Sequence, residues 1–177
     1  MKFCSSCGAE LIVAIPEGNQ RERHVCQSCG DIHYQNPKIV VGCVTHWQNQ
    51  VLLCRRAIEP RLGFWTMPAG FMENGETLKA GAERETFEEC MARVSALELI
   101  SVISIADINQ VHCIFNAPMV NGEFSETSES SEVKLFHEQD IPWHDLAFRT
   151  VEVTLKHFFE QRRQGTQNPL IIDLGPR

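Results

Sequence analysis

Three carboxylates in the stretch GFMENGETLKAGAERETFEECMA (residues 70–92), Glu85, Glu88 and Glu89, stand at i, i+3 and i+4. On an α-helix this spacing sends all three from one face. Like charges held that close raise one another's pKa. Such a cluster persists most easily where a hard cation neutralises it, and Mg²⁺ takes oxygen ligands in octahedral geometry. A solvated acidic helix face would carry the same pattern, so the triplet needs support from its surroundings. The second chemical signal is Cys4-x-x-Cys7-Gly and Cys26-x-x-Cys29-Gly, two short knuckles eighteen residues apart. Two sets of paired thiolates can close one tetrahedral Zn²⁺ site. Gly8 and Gly30 follow each pair, as tight turns around the sulfurs require.

The elements that must hold these groups can be read from local pattern. Leu78, Ala82, Thr86 and Cys90, spaced by four, form a small and mostly apolar stripe suited to pack the acidic helix on a sheet. Lys38–His46 and Gln50–Arg56 read as a hairpin of β-branched and aliphatic residues turning at Gln48-Asn49. Cys43 and Cys54 lie inside these strands as buried core residues. Residues 93–105 and 109–120 are two further strand-rich runs, within which His112 reads as a satisfied core or surface histidine. Residues 121–131 (NGEFSETSESS) form a polar loop before a short strand at 132–136. Val151, Leu155, Phe158 and Phe159 mark the core stripe of a helix from about Arg149 to Arg163, ended by Gly165, with an extended tail beyond.

The chain divides at its composition. Residues 1–34 are expected to be a zinc ribbon and residues 35–177 a second domain, joined through Tyr34-Gln35-Asn36-Pro37. Four thiolates leave no open position for water on zinc, so that metal is structural, and a segment so short needs it to fold. The ribbon's expected role is architecture or subunit contact, a homodimer being one such arrangement. His24 lies off the ligand spacing and reads as a surface residue.

Gly70, five residues, Glu76, seven residues, then Arg84-Glu85-x-x-Glu88-Glu89 resembles the Nudix box, and Gly63–Ala69 (GFWTMPA) is similar to that family's approach to it. The departures are Thr86 at an aliphatic position and Met91-Ala92 in place of the final Gly-aliphatic pair. Met91 puts the helix exit in question, because the family's Gly ends the helix in a left-handed conformation that other residues adopt at a cost of roughly 1–2 kcal/mol. The resemblance implies an α/β fold, a Nudix α/β/α sandwich with a small N-terminal zinc ribbon. It also implies that Glu85, Glu88 and Glu89, with the Ala69 carbonyl, hold catalytic Mg²⁺ or Mn²⁺, that Arg84 orients the glutamates and that Glu76 braces the loop. Some relatives draw a further carboxylate from just before a late strand, for which Glu132 is the best match and Glu129 the second. Arg56 is a candidate for a substrate phosphate or base, and Trp65, with Phe64, for ring stacking, against plain surface charge and plain packing.

Beyond the box, residues 34–42 (YQNPKIVVG) and 141–148 (IPWHDLAF), together with the ribbon, resemble zinc-ribbon Nudix pyrophosphatases acting on FAD and ADP-ribose. The expected substrate is thus a small-molecule dinucleotide, a nucleoside diphosphate linked to another moiety. The downstream Pro- and Trp-rich motif of NADH pyrophosphatases is missing, and Asp107-Ile108 stand where many ADP-ribose enzymes carry Pro. A nucleotide-sensing module whose ribbon binds a partner, and an NADH or NAD-capped RNA pyrophosphatase, are the alternatives; a sensor would not need the complete set of box carboxylates. The net charge of −7 argues against general nucleic-acid or membrane binding, which needs a basic surface. It does not exclude a phosphate substrate, since bound cations reverse the local field. The first residues show no apolar signal region, and eight cysteines without one suit a reducing compartment, so a cytoplasmic location is expected.

Overall fold

The structure is a computed structural model and describes residues 1–175. It resolves into two compact units, Met1–Pro37 and Lys38–Arg177. The first holds three short strands, β1 (Leu11–Ala14), β2 (Arg23–Cys26) and β3 (Ile32–His33), paired antiparallel in the order β1-β2-β3. Each cysteine pair sits in a turn closed by a glycine amide: Gly8 N donates to the Cys4 carbonyl (2.9 Å) and Gly30 N to the Cys26 carbonyl (3.0 Å). Both glycines have positive φ, 77° and 81°, where an L side chain is strained.

The second unit is built on one mixed sheet. Its strands are β4 (Lys38–Trp47), β5 (Gln50–Arg56), β6 (Trp65–Thr66), β7 (Ala69–Phe71), β8 (Glu98–Ile105), β9 (Gln110–Pro118), β10 (Ser130–Phe136) and β11 (Leu170–Asp173). The path runs β10-β5-β4-β9-β8-β11, with β6 on β5 and β7 on β4. The expected hairpin forms, but β4 and β5 stay paired only at its tip, His46 with Val51 and Trp47 with Gln50. Beyond that the strands part, and residues 65–71 fill the split, pairing with β5 at one end and β4 at the other. Gly42 makes this insertion possible, because a Cβ there would overlap Ala69 and the Pro68 carbonyl.

Two helices cover the sheet, α1 (Leu78–Cys90) and α2 (Arg149–Gln164). The alternation of the strands assigns the faces. Val41, Cys43, Cys113, Phe115 and Ala117 meet Ala82 of α1, while Val44, Leu53, Ile100 and Ile114 meet Val151, Leu155, Phe158 and Phe159 of α2. The stripe expected on α1 is buried at Ala82, Thr86 and Cys90, whereas Leu78, in the first turn, is exposed. Thr86 is accommodated in apolar surroundings because its hydroxyl donates to the Ala82 carbonyl one turn back at 2.7 Å. The last polar-loop residues, Ser130 and Ser131, already belong to β10, and the tail forms β11, a parallel edge strand against β8. Among the described residues no helix is long and apolar enough to cross a membrane.

Candidate metal and active site

Helix α1 is capped by Thr77, whose Oγ1 accepts from Ala80 N at 3.2 Å, satisfying one of the free amides of the first turn. It ends at Met91, whose φ of 54° is left-handed and whose amide donates to the Phe87 carbonyl at 2.8 Å. Met91 thus takes the conformation expected of the family's glycine, and the helix exit is formed at the conformational cost anticipated above.

Arg84 organises the carboxylates. Its Nη2 and Nε donate to the two oxygens of Glu76 at 2.9 and 3.1 Å, a bidentate pair. Its Nη1 donates to Glu85 at 2.8 Å and to Glu88 at 2.9 Å, and Nη2 reaches the Phe71 carbonyl at 3.2 Å. One guanidinium therefore fastens α1 to the loop that feeds it. Gly70 lies directly beneath, where a Cβ would overlap the Glu85 carboxylate. Glu76 also accepts from the Glu73 amide at 2.7 Å. The Arg84 hydrogen bond, with this amide and the Arg84 charge, brings the Glu76 carboxyl down to about 2.

The sign of that shift gives a stability prediction. A carboxylate with a depressed folded pKa contributes stability that is fully present above its ordinary value of 4.5 and is lost as pH falls toward about 2. The difference in thermal midpoint between wild type and Glu76→Gln, measured by circular dichroism without divalent cations, should therefore shrink as pH is lowered across that window. A difference that stays constant would show that Glu76 contributes by shape, not by charge.

Glu89 has a different environment. It is 8% exposed and among the described residues has no cationic partner; its Oε2 accepts from the Ala69 amide at 3.3 Å and from the Cys54 thiol at 3.6 Å. Burial, then the charges of Glu85 and Glu129, push its carboxyl up to about 7. Burial also raises Glu85, against the pull of Arg84. A buried carboxylate beside further carboxylates, with only neutral donors, suits a divalent cation.

The polar loop delivers one more carboxylate. Thr127 Oγ1 donates to the Glu89 carbonyl at 3.2 Å and Ser125 N to the Cys90 carbonyl at 2.9 Å, tying the loop to the last turn of α1. Glu129 follows, and its charge acts on both Glu85 and Glu89. Glu132, the better sequence match, instead faces Arg55 across the β5–β10 pairing, with Nη1 and Oε2 3.7 Å apart. The structure thus brings the second-ranked residue toward the glutamates.

The two expected substrate contacts separate. Arg56 donates from Nε to the Pro60 carbonyl at 2.7 Å, and its guanidinium lies 5.3 Å over the Phe148 ring. Trp65 is 9% exposed, edge-on to Phe136 at 5.0 Å and within the core under α2. There it packs, and offers no open face to a ligand ring. His112 is satisfied by Gln110 at 2.9 Å. The thiol of Cys54, the Thr127 hook and the Phe148 ring had no recognisable spacing in the sequence.

In the ribbon, the sulfurs of Cys4, Cys7, Cys26 and Cys29 lie within 4.8 Å of one another. Cys4 is 3.6 Å from Cys29, and Cys7 is 3.5 Å from Cys26. Burial raises Cys4, but hydrogen bonds from the Cys7 backbone and His33 outweigh it and leave the thiol at about 6. Against a hydrogen bond from the Asp31 backbone, the Cys26 and Cys7 thiols push Cys29 up to about 12. Four sulfurs so close, unable to shed their protons together, fit a Zn²⁺ ion. His33, unflagged by spacing, places Nε2 3.3 Å from the Cys4 sulfur.

Comparison with known proteins agrees with this geometry. A zinc-ribbon family model described as Nudix N-terminal matches residues 2–35, and the NUDIX domain model matches residues 36–165. A crystal structure of a NUDIX hydrolase from Nitrosomonas europaea superposes with a TM-score of 0.96 at 50% identity, covering 99% of this chain and 100% of that one. An NAD-capped RNA hydrolase NudC from Photobacterium profundum is 28% identical over 72% of this chain and 46% of its own length. An ADP-ribose pyrophosphatase from Methanocaldococcus jannaschii is 26% identical over 62% of this chain and 67% of its own. The chain spans about half the length of that NudC relative. With the family model covering most of its length and the box residues gathered around α1, the chain belongs to the Nudix hydrolase family.

Proposed function

We propose that the protein is an Mg²⁺- or Mn²⁺-dependent pyrophosphatase. It would hydrolyse a nucleoside diphosphate linked to another moiety, of the FAD or ADP-ribose class. The observation that carries this reading is Glu89, buried beside Glu85 with no cationic partner among the described residues, while Arg84 secures Glu85, Glu88 and Glu76. Glu85, Glu88, Glu89 and the Ala69 carbonyl would hold the catalytic metal. When bound, the metal supplies a water of lowered pKa and neutralises pyrophosphate oxygens. The chain's own groups position: Arg84 sets the spacing of the glutamates, and Glu129, whose charge acts on Glu85 and Glu89, would accept a proton from the attacking water. The water oxygen bonds to phosphorus as the anhydride P–O bond breaks, leaving two phosphate monoesters. Positioning and charge stabilisation account for most of such catalysis. Arg56, half-buried on Phe148, would meet a phosphate or base of the nucleotide. The zinc of the ribbon is structural, and a cytoplasmic location suits eight free thiols.

The likeness to NudC proteins favours a second reading, hydrolysis of NADH or NAD-capped RNA. A net charge of −7 gives an RNA chain little to hold. The test is one panel: FAD, ADP-ribose, NADH, an NAD-capped oligoribonucleotide and a nucleoside triphosphate, with Mg²⁺ and with Mn²⁺, products resolved by chromatography. FAD is expected to give AMP and FMN with the highest kcat/KM and ADP-ribose to follow. A highest value for the capped oligonucleotide would establish the second reading. A highest value for the triphosphate would remove the protein from the dinucleotide class while leaving the metal site intact.

A further inference from the structure

We infer that Cys54 is a positioning residue for the metal-binding carboxylate of Glu89, an inference that rests on the proposed role of Glu89 as a ligand. Cys54 is the last buried residue of β5; Leu52 and Cys54 meet Cys90, Ala92 and Met119, while Val51 and Leu53 face α2. Its sulfur is 3.6 Å from Glu89 Oε2 and 3.5 Å from the Thr66 carbonyl. One S–H proton serves two acceptors, and the ionised carboxylate is the stronger of them. The Ala69 amide donates to the same Oε2 at 3.3 Å. Both donors converge on one oxygen, so the carboxylate is anchored by Oε2 and Oε1 is left for a cation.

The residue type matters. Glu89 is buried, and the anchor that holds its Oε2 comes from the apolar side of the helix. A charged anchor on this side would itself have to be buried in the apolar cluster of Leu52, Cys90, Ala92 and Met119. A thiol is a weak neutral donor that also behaves as a small hydrophobe, so it can sit in the apolar cluster and still orient the oxygen. The sulfur meets the Thr66 carbonyl and Glu89 Oε2, so its effect on the site passes through Glu89.

The experiment measures Mn²⁺ binding to the full chain by electron paramagnetic resonance of the free ion, with thermal midpoints of the same samples. It uses wild type, Cys54→Ser, Cys54→Ala, Cys54→Val and Glu89→Gln. The pattern expected is a crossing. Cys54→Ala and Cys54→Val keep an apolar group in an apolar cluster and remain the more stable variants, yet lose roughly tenfold in Mn²⁺ affinity, as loss of an outer hydrogen-bond partner does. Cys54→Ser buries a hydroxyl and is the least stable, yet stays within about threefold of wild type because it still donates; a lost neutral hydrogen bond would cost more. An affinity order that simply follows stability, with Ser weakest, would overturn the inference. Equal affinity in Cys54→Val and wild type, with Glu89→Gln impaired, would overturn it while leaving Glu89 a ligand. Wild-type affinity in Glu89→Gln would remove the ligand role, and the inference with it.

Discussion

Glu88→Gln is expected to lower kcat by about 100-fold or more, as removal of one charge-stabilising group from a preorganised site typically does. The change keeps the side chain's shape. Glu88 is the most exposed of the three helix carboxylates, at 57% side-chain exposure, and its partner is Arg84 Nη1, which also holds Glu85. Loss of the Glu88 charge therefore leaves Arg84 gripped by Glu76 and Glu85, and the loop and helix stay joined. Far-ultraviolet circular dichroism should be unchanged, and the loss should persist at saturating Mg²⁺. Near-normal turnover under those conditions would mean that the catalytic metal lies elsewhere. The same assay on Glu129→Gln and Glu132→Gln ranks these two carboxylates. Glu129→Gln should be the more damaging, because its charge reaches Glu85 and Glu89 whereas Glu132 faces Arg55.

Cys26→Ser should abolish zinc binding in the ribbon and unfold residues 1–37. Protein purified without chelators should contain about one Zn²⁺ per chain, since four thiolates complete one tetrahedron. In this unit the buried hydrophobic residues are Cys4 and Cys26 themselves, while Phe3, Val13 and Ile15 are exposed. Three strands of four, four and two residues then have almost no apolar core to hold them, and the metal must supply the folding energy. Metal analysis and backbone NMR read the two parts separately. Signals of residues 1–37 should collapse toward random-coil positions while those of α1 remain. A wild-type preparation without zinc that nonetheless gives a folded ribbon would refute the site.

Local chemistry carries much of this protein in its sequence. The two cysteine knuckles, the glutamate spacing on one helix face, the hairpin at Gln48-Asn49 and the periodic core of α2 all depend on neighbours a few residues away. Short-range geometry alone therefore made them legible. Met91 shows where that reading reaches its edge: the sequence raised a conformational cost at the helix exit, and the fold accepts it, with φ at 54° and the cap hydrogen bond made. What the tertiary structure decided are meetings between distant segments. Strands β4 and β5 part so that residues 65–71 can enter between them, which buries Trp65 under α2 and brings the Ala69 amide to Glu89. The Thr127 hydroxyl holds the polar loop on the end of α1, and the charge of Glu129 then acts on Glu89. Cys54 reaches Glu89 from thirty-five positions away, and the tail finds a place as an edge strand on β8. None of these has a periodicity or a motif, because the partner of each group is set by how the sheet splits and how the loops close, and those depend on the packing of the whole domain.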